Sequence, residues 1–236
     1  MGHRIFLAGA SGAIGRPLTR LLVAAGHDVI GTTRSAEKAE QLKVLGAEPA
    51  VVDVYDAEAL AAAVAAARPE IVIHQLTDLP AGVDPARMAE FAVRNARLRR
   101  EGTANLVKAA IAAGARRLVA QSIAWAYAPG PLPRREDDPL DRNAEGLRAV
   151  SVGGVIALEE AVLAAPLEGI VLRYGRLYGP GTGVETAAAP AVHVEAAAKA
   201  ALLAMDRGSA GVFNVAESCE ALSSEKAERE LGWKVG

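Results

Sequence analysis

The stretch Arg4-Ile-Phe-Leu-Ala-Gly-Ala-Ser-Gly-Ala-Ile-Gly15, at the start of the chain, decides the fold. Its apolar run from Ile5 to Ala8 is typical of a buried parallel strand, and a helical pattern follows the last glycine. Three glycines in this position allow a tight turn, a close approach of the backbone to a pyrophosphate and close packing of helix on sheet. The stretch therefore predicts a dinucleotide-binding turn; the alternative is a glycine-rich turn without a ligand.

The start of the following helix adds a second reason to expect phosphates here. A helix N-terminus offers free N–H groups and a partial positive charge, and both favour an anion. The residues that we expect to surround the phosphates are Gly9, Ser11, Gly12, Ala13, Ile14 and Gly15.

Composition limits the classes of protein that the chain can belong to. Its 236 residues suit one α/β domain with a small appendage, and its net charge of −2 argues against a nucleic-acid binder. The single cysteine, Cys219, excludes an intrachain disulfide and fits a reducing, cytoplasmic setting. We expect no signal peptide, no membrane span and no metal site, because the chain enters a strand directly, lacks a long apolar run and scatters its histidines.

Strand and helix patterns alternate along the first three quarters of the chain. Strands are predicted at 4–8, 27–33, 50–53, 71–74, 117–121 and 170–174, and helices at 13–25, 36–45, 56–67, 85–113 and 151–165. This alternation predicts a Rossmann-type, doubly wound parallel sheet with helices on both faces. We expect residues 1–178 to form this dinucleotide-binding domain. Residues 179–236, with helices at 193–206 and 223–231 and a strand at 211–215, are expected to form a small C-terminal substrate lobe.

The end of the second strand bears on the choice of cofactor. It reads Val29-Ile-Gly-Thr-Thr-Arg-Ser35, and no carboxylate appears before Glu37. NAD sites place an acidic residue here to bind the ribose hydroxyls, whereas a guanidinium clamps the 2′-phosphate of NADP. Arg34, with Thr33 and Ser35 as hydroxyl partners, therefore favours NADP(H), while NAD(H) stays open. The alternative is a solvated arginine, or one that stacks on an adenine.

The Gly-x-x-Gly-x-x-Gly spacing resembles that of the short-chain dehydrogenase/reductase superfamily, and within it the extended, epimerase/dehydratase-like branch. Two further segments carry the resemblance: Asn95 followed by Gly102-Thr-Ala-Asn-Leu106, and Val171-Leu-Arg-Tyr-Gly-Arg-Leu-Tyr-Gly-Pro-Gly181. The resemblance implies a nicotinamide dinucleotide, a small-molecule substrate and a homodimer through the helices at 85–113 and 151–165. A core face would explain the alanines of these helices equally well.

The resemblance also implies which later residues line the cofactor. Asn95 is expected to support the backbone or a water molecule at the site, and His74 to pack under the site rather than act as a base. The cofactor contacts that it implies are Asp53, Val54, Gln75, Leu76, Thr77, Asn95, Gln121, Ser122, Tyr174 and Leu177.

The chain departs from the superfamily in its proton-transfer residues. Relatives place a tyrosine four residues before a lysine, which lowers the pKa of the tyrosine so that it exchanges a proton with the substrate oxygen. None of the four tyrosines of this chain has a lysine in that position. Alignment of the helix through Glu159 puts Ser151 and Val155 at the tyrosine and lysine positions; alignment through Glu160 puts Val152 and Ile156 there.

The serine of the same catalytic group is altered as well. By its distance from Tyr127, the usual catalytic Ser or Thr falls on Ile123, and Ser122 is its neighbour. Tyr127 and Ser122 are therefore the candidate catalytic residues, Tyr127 as a neutral phenol that donates a proton. The alternative is that Tyr127 is a lid or packing residue alongside Trp125.

Three functions are compatible with these observations. The first is an NADP(H)-dependent oxidoreductase that acts on a small carbonyl or alcohol. The second is a nucleotide-sugar epimerase or dehydratase, against which the absent Tyr–Lys pair and the short, small-residue segment 183–191 both argue. The third is a non-catalytic NADP(H)-binding sensor. We favour the first.

Overall fold

The computed structural model describes residues 2–79 and 85–235, in which strands and helices alternate. The strands are β1 (Arg4–Ala8), β2 (Asp28–Thr33), β3 (Glu48–Val51), β4 (Ile71–His74), β5 (Arg117–Ile123), β6 (Glu168–Tyr174), β7 (Arg176–Tyr178), β8 (Ala191–His193) and β9 (Gly211–Val215). The helices are α1 (Gly15–Ala24), α2 (Ala36–Val44), α3 (Ala57–Ala67), α4 (Met88–Arg97), α5 (Thr103–Ala112), α6 (Gly146–Leu163) and α7 (Val194–Leu203).

Seven of the strands form one parallel sheet in the order β3-β2-β1-β4-β5-β6-β9. The order reverses between β1 and β4, and a sheet of this kind binds its ligand beyond the carboxyl ends of the strands at such a switch point. We call this side the carboxyl end of the sheet. The doubly wound, Rossmann-type fold predicted from the sequence is confirmed.

Helices cover both faces of this sheet because its central strands are apolar on both sides. Ile5 and Leu7 of β1 join a core with residues of α1, α2 and α7, whereas Phe6 and Ala8 join a second core with residues of α3, α5 and α6. Burial on two faces is what an uninterrupted apolar strand requires.

The strand at 211–215 does not lie in a C-terminal lobe, and that part of the prediction is wrong. This strand, β9, pairs with β6 as the edge strand of the main sheet. Trp233, near the end of the chain, is fully buried, and its Nε1 donates a hydrogen bond of 2.9 Å to the Ala196 carbonyl of α7. A short alternating pattern shows that a strand exists but not which sheet it joins. The division of the chain at residue 178 stays a prediction.

The helix predicted over 85–113 is interrupted. A 3₁₀ turn (Pro85–Arg87) precedes α4, and a π-helical turn (Leu98–Gly102) joins α4 to α5. The second helix of the predicted pair, α6, begins at Gly146 rather than at residue 151. No side chain caps its first turn, so the sequence contains no capping signal at the true start. The last predicted helix is reduced to a short stretch that ends in a π turn (Ala227–Leu231). In the described ranges no helix has the length and apolarity to span a membrane.

Candidate cofactor and active site

The loop from β1 to α1 has the shape that its glycines predict. Gly9 has a φ of +88°, and a Cβ on it would lie 2.6 Å from the Gln75 carbonyl oxygen. A Cβ on Gly15 would collide with the Gly9 carbonyl oxygen, so α1 packs directly on the turn. The Gly12 N–H donates a hydrogen bond of 3.0 Å to the Gly9 carbonyl. A Cβ added to Gly12 would meet only that carbonyl oxygen, at 3.2 Å.

The N-terminus of α1 is open to an anion. No side chain caps it, and its first turn contains no acidic residue. Among the residues that the structure describes, no carbonyl accepts the N–H groups of Ala13 and Ile14. Unpaired N–H groups at a helix start favour a phosphate, so this loop fits the pyrophosphate of a dinucleotide.

The end of β2 presents Arg34 to solvent. Its side chain is 57% exposed, and its Nη2 lies 3.7 Å from Oδ1 of Asp78. The two hydroxyls predicted to assist it are engaged locally: Thr33 Oγ1 accepts from the Ser35 N–H at 3.2 Å, and Ser35 Oγ caps α2 through the Lys38 N–H. The exposed guanidinium of Arg34 is therefore the main polar group that this end of the sheet offers to a 2′-phosphate.

Beyond β3, the predicted adenine contacts lie in a short turn. Asp53 is exposed, and its Oδ1 accepts the Tyr55 N–H at 3.0 Å. Val54 is buried, and its carbonyl accepts Nδ2 of Asn105 at 2.9 Å. Asp56 caps α3, because its Oδ1 accepts the Ala59 N–H.

Two of the predicted residues hold the loop after β4 in place. Gln121 Nε2 donates to the Leu76 carbonyl at 2.7 Å, and Asn95 Oδ1 accepts the Asp78 N–H at 3.1 Å. Thr77 lies between these two fixed points. Gln121 and Asn95 thus determine the path of the backbone that would line the cofactor, and their direct contact with it stays a prediction.

His74, at the end of β4, is a packing residue in this structure. Its ring is fully buried, with Nε2 2.9 Å from Thr103 Oγ1 and Nδ1 accepting the Leu76 N–H at 3.2 Å. Burial lowers the pKa of His74 to about 4. The imidazole is therefore neutral near pH 7 and both its nitrogens are engaged, which favours the packing role over the role of a base.

Gln75 and Tyr174 lie on the α1 and α7 side of the sheet. Both polar atoms of the Gln75 amide are buried without a hydrogen-bond partner in the described chain. The Tyr174 hydroxyl donates to the Ala197 carbonyl at 3.2 Å, and burial raises the pKa of this phenol. Leu177 follows in β7, half-buried, where it pairs with Val192 of β8.

The two candidate catalytic hydroxyls belong to one buried polar network. Ser122 Oγ donates to Glu159 Oε1 at 2.7 Å, and Glu159 forms a bidentate ion pair with Arg173 at 2.7 and 3.0 Å. The Arg173 guanidinium stacks on the Tyr127 ring at 4.7 Å, and the Tyr127 hydroxyl donates to Asn214 Oδ1 at 2.7 Å. Burial raises the pKa of Tyr127. Both hydroxyls are thus committed to protein acceptors, and their catalytic role stays a prediction.

Of the positions where relatives carry the proton relay, the lysine and serine positions are apolar here, while the tyrosine position carries Ser151 or Val152, depending on the alignment. Val155, at the lysine position, is fully buried with Val152 and Ala126. Ile123, at the serine position, packs against this cluster. Hydrophobic side chains neither give nor take a proton, so a proton relay of the usual kind is absent from these positions.

Sequence reasoning missed the buried charges near this cluster. Glu159, Arg173 and Arg99 are each less than a tenth exposed. In a sequence, a charged residue within a helix or at a strand end is most often solvated, and no local signal marks these three as buried. In the described ranges, no group of three or more His, Cys, Asp or Glu side chains suits a metal ion.

Comparison with known proteins places this geometry in a family. The model of the NAD dependent epimerase/dehydratase family matches residues 5–210. A Streptomyces protein named 3-diazoavenalumate denitrifying reductase is 45% identical over 229 residues, which are 96% of this chain and 72% of that protein.

Solved structures agree on the fold. UDP-glucose 4-epimerase from Thermotoga maritima, with UDP-glucose, superposes with a TM-score of 0.77 at 20% identity. The superposition covers 98% of this chain and 93% of the epimerase chain. The dTDP-glucose 4,6-dehydratase from Streptomyces venezuelae, with NAD and TYD bound, gives a TM-score of 0.78 at 18% identity. The superposition covers 98% of this chain and 91% of the dehydratase chain. At this identity, the likeness concerns the fold alone.

Proposed function

Since the chain belongs to the NAD dependent epimerase/dehydratase family, we propose that it is an NADPH-dependent reductase that delivers hydride to a small electrophile without a proton relay from its side chains. The family makes it an enzyme that works with a nicotinamide dinucleotide. The preference for NADPH and the kind of electrophile are our proposals.

The observation that carries the proposal is the apolar cluster at the relay positions. Reduction of a carbonyl produces an alkoxide whose oxygen needs a proton, and Val155 and Ile123 cannot supply one. Replacement of the nitrogen of a diazonium carbon by hydride forms one C–H bond, breaks one C–N bond and releases N₂, and it requires no proton. The cluster is compatible with the second reaction and unfavourable to the first.

A diazo compound is accordingly the substrate class that we propose. The Streptomyces relative is named for the reductive denitrification of 3-diazoavenalumate, and its identity to this chain extends over 96% of the chain. The small carbonyl expected from the sequence is the second candidate, because Tyr127 remains a phenol at the carboxyl end of the sheet. Its hydroxyl would first have to leave Asn214.

The protein groups bind and orient the cofactor in this proposal. When bound, the reduced nicotinamide supplies the hydride. The N–H groups of Ala13 and Ile14 hold the pyrophosphate, and Arg34 turns toward the 2′-phosphate that distinguishes NADPH. The Arg34 contact with Asp78 is long, at 3.7 Å, and the Arg34 side chain is 57% exposed, so little free energy opposes this movement.

The first test is a fluorescence titration of the protein with NADPH and with NADH. We expect NADPH to bind more tightly, and Arg34→Ala to weaken NADPH binding about tenfold or more while leaving NADH binding unchanged. Lys38→Ala, which removes an exposed cation of α2, is the control and should change neither. Equal affinity for the two cofactors would contradict the assignment of Arg34.

The second test measures NADPH oxidation and N₂ release with 3-diazoavenalumate. One N₂ per NADPH oxidised is the expected result. Turnover of small carbonyls alone, abolished by Tyr127→Phe, would favour the second candidate. Cofactor binding without turnover of either substrate class would favour the non-catalytic sensor.

A further inference from the structure

Arg99 is buried at the π-helical turn between α4 and α5. Only 8% of its surface is exposed, although its neighbours Arg97 and Arg100 are exposed. A π turn adds one residue to a helical turn and thereby rotates the following side chains, and such turns occur frequently at functional sites. Here the turn directs an arginine inward with Leu98 and Gly102.

The Arg99 guanidinium has no hydrogen bond and no ion pair in the parts of the chain that the structure describes. A small part of the Arg99 surface stays exposed. Glu159 attracts it electrostatically but is already held by Arg173 and Ser122. Burial lowers the pKa of Arg99 to about 10, which leaves the group charged near pH 7.

Packing places Arg99 beside the apolar cluster. α4 and α6 approach closely, since a Cβ on Gly154 would lie 2.8 Å from the Ala96 Cα. Arg99 lies about one helical turn beyond Ala96, and Glu159 about one turn beyond Val155. The charge of Arg99 acts on His74, and that of Glu159 acts on Arg99, which agrees with a position near both β4 and α6.

The direction of the side chain is toward the carboxyl end of the sheet. All seven strands are parallel, so α4, which follows β4, has its N-terminal end at the carboxyl end of the sheet. Helical side chains lean toward the N-terminus of their helix. This general lean favours a position of the Arg99 guanidinium on the side of the crevice in which the substrate would lie.

We propose that Arg99 binds an anionic oxygen, a carboxylate or phenolate, of the substrate. The inference rests on the proposed function and adds to it a specificity-determining residue. A cation on the π turn then replaces the one that α6 lacks at Val155. The pyrophosphate is a less suitable partner, because the open N-terminus of α1 lies on the other face of the sheet from α4 and α6.

The test measures the binding of avenalumate and of its methyl ester to the protein loaded with NADP⁺, by calorimetry. The wild type should prefer the acid by about 10- to 100-fold, the range expected for a hydrogen bond between charged groups. Arg99→Met should remove that preference, Arg99→Lys should retain part of it, and neither should change NADPH affinity more than twofold. Arg100→Met, which removes the exposed arginine of the same turn, is the matched control.

The variants also report on folding. An unpaired buried cation costs free energy, so Arg99→Met should leave the free energy of unfolding unchanged or raise it. A large loss of stability would reveal a structural role and overturn the inference. An equal affinity of the wild type for acid and ester would overturn it without any variant. If the wild type binds no NADPH, the proposed function itself fails, which is a different result.

Discussion

At the scale of the residue, the polar side chains of the site divide into those that bind the protein and those that do not. Ser122, Tyr127 and Asn95 each have a strong partner within the chain. Arg99 and Gln75 do not, although both are buried. A buried group without a partner is costly, so these two residues are where a ligand has most to add.

The sequence predicted the positions of many of these residues but not their partners. Glycine spacing located the phosphate loop because its chemistry is local. Glu159 and Arg173 are 14 residues apart and meet only when α6 packs on β6. Such a pairing depends on tertiary structure, and a single sequence does not specify it.

His74 predicts a pH dependence of stability. Its pKa is about 4 in the folded protein and about 6.5 when unfolded, so only the unfolded state takes up a proton between these values. The folded state keeps its full stability above pH 6.5 and loses about 3 kcal/mol from this group as the pH falls to 4. Urea unfolding of the wild type and of His74→Gln at several pH values measures the difference.

In the His74→Gln variant, the free energy of unfolding should vary less steeply over the same range. Carboxylates contribute in both proteins below about pH 4.5 and cancel in the comparison. Identical pH profiles for the two proteins would show that the pKa of His74 is the same in the folded and unfolded states, and would contradict its lowering by burial.

At the scale of the element, the boundaries of β1, β4 and β9 agree with the sequence to the residue. β1 and β4 are short, mainly apolar runs that are followed by Gly9 and Gln75, and β9 begins at Gly211, so these limits are local. The π turn was not predicted, because helical periodicity does not register one inserted residue. The early start of α6 was missed because Glu145 makes no side-chain cap.

Two glycines of the loop between β1 and α1 allow a test in which stability and cofactor binding change separately. Gly15→Ala introduces a clash with the Gly9 carbonyl, so it should lower the free energy of unfolding by about 1–3 kcal/mol and also weaken NADPH binding. Gly12→Ala meets only one oxygen, at 3.2 Å, and should change stability by less than about 1 kcal/mol. It should nevertheless weaken NADPH binding about tenfold, because an added methyl group would hold the pyrophosphate away from the backbone of the turn.

Thermal melting and NADPH titration of both variants separate the two effects. A Gly12→Ala protein that binds NADPH as tightly as the wild type would show that the backbone at Gly12 does not approach the cofactor.

At the scale of the whole molecule, both ends of the chain contribute to the same core. Leu18 of α1 and Ala197 of α7 share a cluster with Trp233, near the last residues described. The sequence predicted the doubly wound sheet but placed β9 outside it. Strand order is a property of the complete fold, and the periodicity of one short strand carries no information about it.

Trp233 predicts how much the end of the chain contributes to stability. It is fully buried, and its indole N–H is bonded to Ala196. Trp233→Ala should therefore lower the free energy of unfolding by about 3–5 kcal/mol. Trp125, which is 37% exposed, provides the control, and Trp125→Ala should cost about 1 kcal/mol or less. Equal losses in urea unfolding would contradict the core position of Trp233.

The edge position of β9 has a consequence for how the protein is made. A ribosome produces β1 to β6 well before Gly211–Val215 emerges, and until then β6 offers an unpaired edge. Chains fold in part during synthesis, and unpaired strand edges at that stage favour association between nascent chains. Completion of the sheet must therefore wait until Gly211–Val215 has left the ribosome, and the yield of folded protein should depend on how quickly the segment between β6 and β9 is translated.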